Sequence, residues 1–193
     1  MSNDLANFEV TLVAAPAAYR RFTFRDLYMR RARGKKDGNQ AILVDSDGLA
    51  IRSPRNGIFS HRHSEDMGTM VVHKWEVYDG PGPDANIVAR ARGLHIDTGG
   101  GVFHNTFSFV FEHGRFKGST LQAMGVAPKE DDEYSIVGGT GAFAMANGVV
   151  RRVLHKREAK TEIDRITIKG LIPVLNETAI VGTSLSSDVH NFS

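Results

Sequence analysis

Asp26 is the residue in this chain whose neighbours suit it best to acid chemistry. It lies in a run where Phe22, Phe24, Asp26 and Tyr28 fall on one parity. Residues two apart on an extended strand share a face, so a carboxyl group stands among three rings. If that face points inward, desolvation raises the carboxyl pKa and makes Asp26 a proton donor. If it points outward, Asp26 is a solvated acid beside Arg25. Arg90 and Arg92 pose a related question, because they share parity with Val88, Leu94 and Ile96. A guanidinium on an apolar face needs an acid, and Asp26 and Glu112 are the candidates. The alternative is a bulge at Gly93 that switches parity and lets both arginines reach water.

Phe103, Asn105, Phe107, Phe109 and Phe111 form a same-face stripe. Such a stripe packs a core, or it walls a cavity for a flat aromatic or terpenoid ligand. Farther along, Phe143, Met145, Asn147 and Val149 alternate with Ala144, Ala146 and Gly148, whose small side chains permit close approach of a neighbour. Other chemistry is poorly provided for. The chain has no cysteine, which excludes disulfides, thiolate metal sites and cysteine nucleophiles. His61 and His63 have ligand spacing on a strand, but no third ligand is placed by spacing. Gly138-Gly139-Thr140-Gly141 lacks the lysine of a phosphate loop and opens a strand rather than a helix. No Gly-x-Ser-x-Gly elbow occurs, and there is no cofactor motif.

The elements that must position these residues are strands. Period-two runs recur between glycine, proline and aspartate breakers, and helical periodicity is scarce. Strands are expected at Phe22–Arg30, Ala41–Val44, Met70–Tyr78, Asn86–Ile96, Phe103–Glu112, Arg115–Met124, Tyr134–Val137, Phe143–His155 and Glu162–Pro173. Asp79-Gly80-Pro81-Gly82-Pro83-Asp84 breaks one connection, because proline cannot donate to a central ladder. Gly99-Gly100-Gly101 permits positive φ in another. His113-Gly114 reads as a tight hairpin. This spacing gives an all-β barrel or sandwich, and closure favours the barrel because it removes exposed edges.

The 193 residues suit one domain, with 41% hydrophobic and 24% charged residues. We expect an N-terminal segment over 1–19, the β domain over 20–175, and a tail or linker stub over 176–193. The stretch from Arg31 to Gly68 is polar and long, as lids and insertions are. Net charge is +2, and the basic cluster Arg30, Arg31, Arg33, Lys35 and Lys36 has no interleaved aromatics, so it reads as a solvated loop and not a nucleic acid site. No run approaches the roughly 20 apolar residues that span a bilayer, so no membrane partner is expected. The first residues lack a secretory pattern, which places the chain in the cytosol as written.

Two stretches together are distinctive: Phe116-Lys117-Gly118-Ser119-Thr120-Leu121-Gln122 and Val137-Gly138-Gly139-Thr140-Gly141-Ala142-Phe143-Ala144-Met145-Ala146-Asn147-Gly148. They resemble the plant dirigent family, with its Gly-Ser-Thr-Leu strand and its Val-Gly-Gly-Thr-Gly-x-Phe-x-x-Ala-x-Gly segment. Val88-Ala89-Arg90-Ala91-Arg92-Gly93-Leu94, Asn39-Gln40-Ala41-Ile42-Leu43-Val44 and Phe24-Arg25-Asp26 are similar to further family segments, so the likeness runs from about Phe22 to Pro173. Within the family, His73 to Pro81 followed by Ala89 to His95 resembles the dirigent domains fused to jacalin-type lectins in monocots.

The resemblance implies an eight-stranded antiparallel β-barrel related to allene oxide cyclase, often a trimer, with no cofactor. It implies a protein that holds phenoxy radicals made by an external oxidase and fixes the handedness of their coupling, since orientation favours one path over its competitors. Some members protonate a quinone methide to direct ring closure, which needs an acid in an apolar cavity. On this reading Asp26 is the acid, and the small aromatic or terpenoid ligand meets Phe24, Tyr28, Arg90, Phe107, Phe109, Phe111, Phe143 and Asn147. Many members are secreted to the apoplast, the alternative location. Where the family often carries an acid or arginine, this chain has Ala142, Ala144 and Asn147. The alternative function is therefore a non-catalytic ligand-binding or defence-associated module on the same barrel.

Overall fold

The computed structural model describes residues 18–33, 38–44, 50–51, 59–60, 67–127 and 132–174. The chain divides into two compact units, residues 21–172 and residues 1–20 with 173–193, and the barrel lies in the former. The strands are β1 (Ala18–Ala32), β2 (Gln40–Val44), β3 (Ala50–Ile51), β4 (Phe59–Ser60), β5 (Met70–Tyr78), β6 (Ile87–Asp97), β7 (Phe103–Phe111), β8 (Thr120–Ala127), β9 (Asp132–Thr140), β10 (Asn147–Glu158) and β11 (Thr161–Val174). The large sheet runs β1-β11-β10-β9-β8-β7-β6-β5-β2, and β1 also pairs with β5. That pairing closes eight antiparallel strands into a barrel and leaves β2 as an extra strand on the edge of β5. β3 and β4 form a separate two-stranded ladder.

The expected strands appear, with β1 and β9 starting earlier than expected, at Ala18 and Asp132, and two others starting later. Gly114–Phe116 and Gly141–Phe143 are single 3₁₀ turns, so β8 and β10 begin only at Thr120 and Asn147. His113-Gly114 is therefore no two-residue hairpin: the Gly118 N–H donates to the Phe111 carbonyl across a longer turn. Gly99, Gly100 and Gly101 do adopt positive φ, at 100°, 63° and 71°. Two other glycines are fixed by crowding. A Cβ on Gly139 would stand 2.2 Å from the Phe143 carbonyl oxygen, and one on Gly93 would stand 2.1 Å from that of Thr106.

The interior is layered along the barrel axis. At one end Phe22, Phe24, Phe111, Phe116 and Phe143 pack ring on ring, with centroid separations between 5.0 and 6.0 Å. The middle is filled by Met29, Val77, Phe109, Leu121, Val150, Ile166 and Ile168, all essentially buried. The other end is polar, and its inward residues carry the charges.

Candidate functional site

Parity builds the polar end strand by strand. On β5, His73 and Trp75 point inward next to Val77; on β6, Ala89, Ala91, His95 and Asp97 share the inward face. β7 adds Phe103 and Asn105. Register then brings distant residues together, since Asp132 of β9 pairs with Arg152 of β10, and Leu154 of β10 pairs with Asp164 of β11.

The result is a buried ionic network. The Arg152 guanidinium donates to both oxygens of Asp132, Nε to Oδ1 at 2.5 Å and Nη2 to Oδ2 at 2.6 Å. It also reaches Asp164 at 3.4 Å. Arg31 donates through Nε to Asp164 at 2.6 Å and lies 2.7 Å from Glu162. The Tyr134 hydroxyl donates to Asp132 Oδ2 at 3.1 Å. Buried charges must be matched in this way, because an unpaired one costs several kcal/mol. The groups titrate accordingly. Burial works against the Arg152 charge, but the bond to Asp132 and the nearby Tyr134, Asp164 and Asp132 outweigh it and raise its pKa. Burial raises Tyr134, so it stays a phenol.

Above this network lies a cavity of about 290 Å³, lined by Arg31, Gln40, Trp75, His95, Phe103 and Tyr134 among others, with Arg152 on its floor and Arg33 and Arg157 at its rim. The Trp75 indole N–H donates to Gln40 Oε1 at 2.9 Å, and its ring stacks on His73 with centroids 3.4 Å apart. Both imidazoles are neutral at physiological pH. Burial pulls His73 down to about 3, and burial, aided by Arg31, Arg33 and Arg152, pulls His95 down to about 4. His95 Nδ1 and His73 Nε2 are buried without a protein hydrogen-bond partner. The cavity thus offers aromatic walls, a neutral imidazole, a phenol and a fixed guanidinium. Such a set stacks a flat ring, accepts a proton from its hydroxyl and stabilises an oxyanion.

The residues expected to form one site are dispersed. Asp26 has φ of 54°, a left-handed conformation that aspartate tolerates, and this kink slips the alternation by one residue. Phe22 and Phe24 point inward before it, Leu27 and Met29 after it, and Asp26 is exposed. The face assigned to Asp26 is thereby corrected: its carboxyl group is outside, among Arg25, Arg151 and Arg165. The same slip turns Tyr28 outward against His155, with ring centroids 5.1 Å apart. Arg90 and Arg92 are also on the outside, because β6 keeps its register through Gly93. They pair with Glu112, as the acid-partner alternative required, but face away from the interior.

Phe24 and Phe143 belong to the aromatic end, and Phe107, Phe109 and Phe111 are buried in the core, so these rings fill space rather than line the cavity. Asn147 is exposed on the outer face. The basic cluster is split, with Arg30 paired outside to Glu76 and Arg31 turned inward; Lys35 and Lys36 lie outside the described residues, as do His61, His63, most of the segment over 1–19 and the tail over 176–193. Among the described residues no group of three potential ligands could hold a metal ion. What the sequence reading missed was the charged end: Arg31, Trp75, His95, Asp132, Tyr134, Arg152 and Asp164. Parity marks the residues of β9, β10 and β11 as inward, with Asp132, Tyr134 and Ile136 alternating on β9, Val150 and Arg152 on β10, and Asp164, Ile166 and Ile168 on β11.

The family described as Dirigent-like protein matches residues 24–182. Over 86 residues the chain is 39% identical to Dirigent protein 11 of Arabidopsis thaliana, covering 42% of this chain and 45% of that protein. Over 92 residues it is 32% identical to Pterocarpan synthase 1 of Glycyrrhiza echinata, covering 45% of this chain and 49% of that protein. The chain spans about half the length of the curated relatives it matches. The fold is similar to that of the pterocarpan synthase dirigent protein GePTS1, with a TM-score of 0.66, 20% identity, and coverage of 88% of this chain and 99% of that one. A second such structure, PsPTS1, has a TM-score of 0.61 at 19% identity, covering 83% and 99%.

Proposed function

The chain belongs to the dirigent-like family, and from that premise we propose that the polar end of its barrel holds a small phenolic or terpenoid intermediate and steers its coupling or cyclisation toward one stereoisomer. The observation that carries this reading is the joint presentation of Arg152, Tyr134 and His95 to a cavity walled by Trp75 and Phe103. In coupling, an external oxidase makes the phenoxy radicals, and the rings of the cavity hold one face of the radical toward its partner. In ring closure of a quinone methide, a phenol oxygen bonds to the methide carbon and releases its proton. The neutral His95 imidazole accepts it, Arg152 stabilises the new phenolate oxygen, and the imidazolium returns the proton there, so substrate and product are isomers.

Two finer features belong to the same proposal. The segments His73 to Pro81 and Ala89 to His95 support kinship with dirigent domains fused to jacalin-type lectins. Exposed Met124, Val126 and Val137, on the outer face of adjacent β8 and β9, support self-association, with a trimer favoured.

The second reading is a barrel that binds a ligand and transforms nothing. It is favoured by the uncharged Ala142 and Ala144, and by a cavity at the small end of the ~300–1,000 Å³ usual for ligand sites. One assay separates the two. Trp75 is the only tryptophan and reports on the cavity by its fluorescence. The full chain is mixed with coniferyl alcohol and an oxidase, and the coupled product is resolved on a chiral column. An enantiomeric excess that is lost in His95→Phe supports steering. Racemic product together with saturable quenching of Trp75 supports the binding module.

A further inference from the structure

The outer face of β1, β10 and β11 carries Arg21, Arg25, Arg151, Arg165 and Lys169, which line two adjoining grooves of about 420 and 380 Å³. Arg25 and Lys169 belong to both grooves, so the cations are continuous across the three strands. Only two acids, Asp26 and Glu133, line the same grooves. Other outer cations of the barrel are paired: Arg30 with Glu76, Arg90 and Arg92 with Glu112, Arg157 with Glu162, and Lys156 with Glu158. Among the described residues none of the five cations on this face forms an ion pair, and all five are exposed. Five exposed cations without an ion pair, gathered on one face with two acids among them, present themselves to an anion from outside.

We propose that this face binds an acidic polysaccharide. Alternate residues on a strand stand roughly 6.8 Å apart and neighbouring strands about 4.8 Å apart, so the cations form a lattice wide enough for an extended chain with a carboxylate on each sugar. Thr23, Thr167 and Asn147 lie between the cations and supply hydrogen bonds to sugar hydroxyls. None of the outward residues lining the two grooves is aromatic. Single-stranded nucleic acids are held largely by stacking on aromatic side chains, so this lattice suits a polyuronate better. The surface is separate from the interior cavity, and the inference does not depend on the barrel's stereochemical role.

The test uses the full chain and polygalacturonate immobilised on a sensor, with amylose as the neutral control. Binding is expected to polygalacturonate only, falling by about tenfold or more between 50 and 200 mM salt. The triple variant Arg151→Ser/Arg165→Ser/Lys169→Ser is expected to lose about tenfold in affinity at 50 mM salt with unchanged melting temperature and Trp75 fluorescence. Absence of binding at 50 mM salt overturns the proposal, as does equal binding by the triple variant. Tighter binding to an oligonucleotide of equal charge, or to anionic lipid vesicles, overturns the assignment of the partner.

Discussion

Asn39 and Glu76 meet where the sheet closes on itself: Asn39 Nδ2 donates to Glu76 Oε2 at 2.5 Å. The same amide donates to the Arg30 carbonyl at 2.8 Å, and its oxygen accepts the Ala32 N–H at 2.9 Å. The Asn39 backbone carbonyl accepts the Lys74 N–H of β5. One side chain thus continues the β1–β5 ladder past its last pair, Arg30 with Glu76. Asn39→Ala leaves the Ala32 N–H without its acceptor, and we expect a loss of about 1–3 kcal/mol in urea unfolding. Asn39→Asp keeps the acceptor but sets a carboxylate against Glu76, so it should also destabilise, and less so at acid pH.

Arg152 is held by carboxylates that depend on it. Arg152→Met leaves Asp132 and Asp164 buried without that cation, and the expected cost is about 3–5 kcal/mol. Adding Asp132→Asn to that variant removes one of the orphaned charges and should restore part of the loss. Urea midpoints of the single and double variants measure the difference. Equal midpoints for Arg152→Met and the parent chain would show that the network contributes nothing.

The two neutral imidazoles make stability depend on pH in a definite direction. The unfolded chain takes up protons at both histidines near pH 6.5, whereas the folded barrel resists them until about 4 at His95 and about 3 at His73. Between those limits the unfolded state binds more protons, so stability falls as pH falls. By pH 5 the loss amounts to about 2 kcal/mol for each histidine. Thermal melts at pH 7 and pH 5 should show it, and His95→Phe should shrink the difference.

Asp26 tests the division between inner and outer faces. Asp26→Asn should leave the product's enantiomeric excess unchanged, while Tyr134→Phe and His95→Phe reduce it. The left-handed backbone at this position gives a second readout. Asp26→Val puts a β-branched side chain at φ of 54° and should cost about 1–2 kcal/mol, measured by thermal unfolding. Asp26→Gly fits that conformation and should not show this loss.

These residues also show how far the sequence could be read. Alternation placed β5, β6 and β7 to within about a residue, because each is inserted between clear breakers and keeps its side-chain alternation over most of its length. The family likeness rested chiefly on Phe116 to Gln122 and Val137 to Gly148, and the eight-stranded barrel on that likeness. The slip at Asp26 could not be read, since an aspartate between Phe24 and Tyr28 looks the same whether the backbone is extended or kinked. Parallel signals did go unused. Gly114-Arg115-Phe116 and Gly141-Ala142-Phe143 are two Gly-x-Phe turns that each send a ring into the same end of the barrel. The charged end was hidden for another reason. Asp132, Arg152 and Asp164 are distant in sequence, and only the register of three strands brings their side chains into one network.

The five phenylalanines that stopper one end make the barrel a blind alley. Among the described residues a molecule that passes the arginine rim meets no second exit, so under the proposed function substrate and product would share a single doorway and filling would alternate with emptying. A widened rim should therefore quicken release and shorten the time during which handedness is imposed, trading selectivity for throughput.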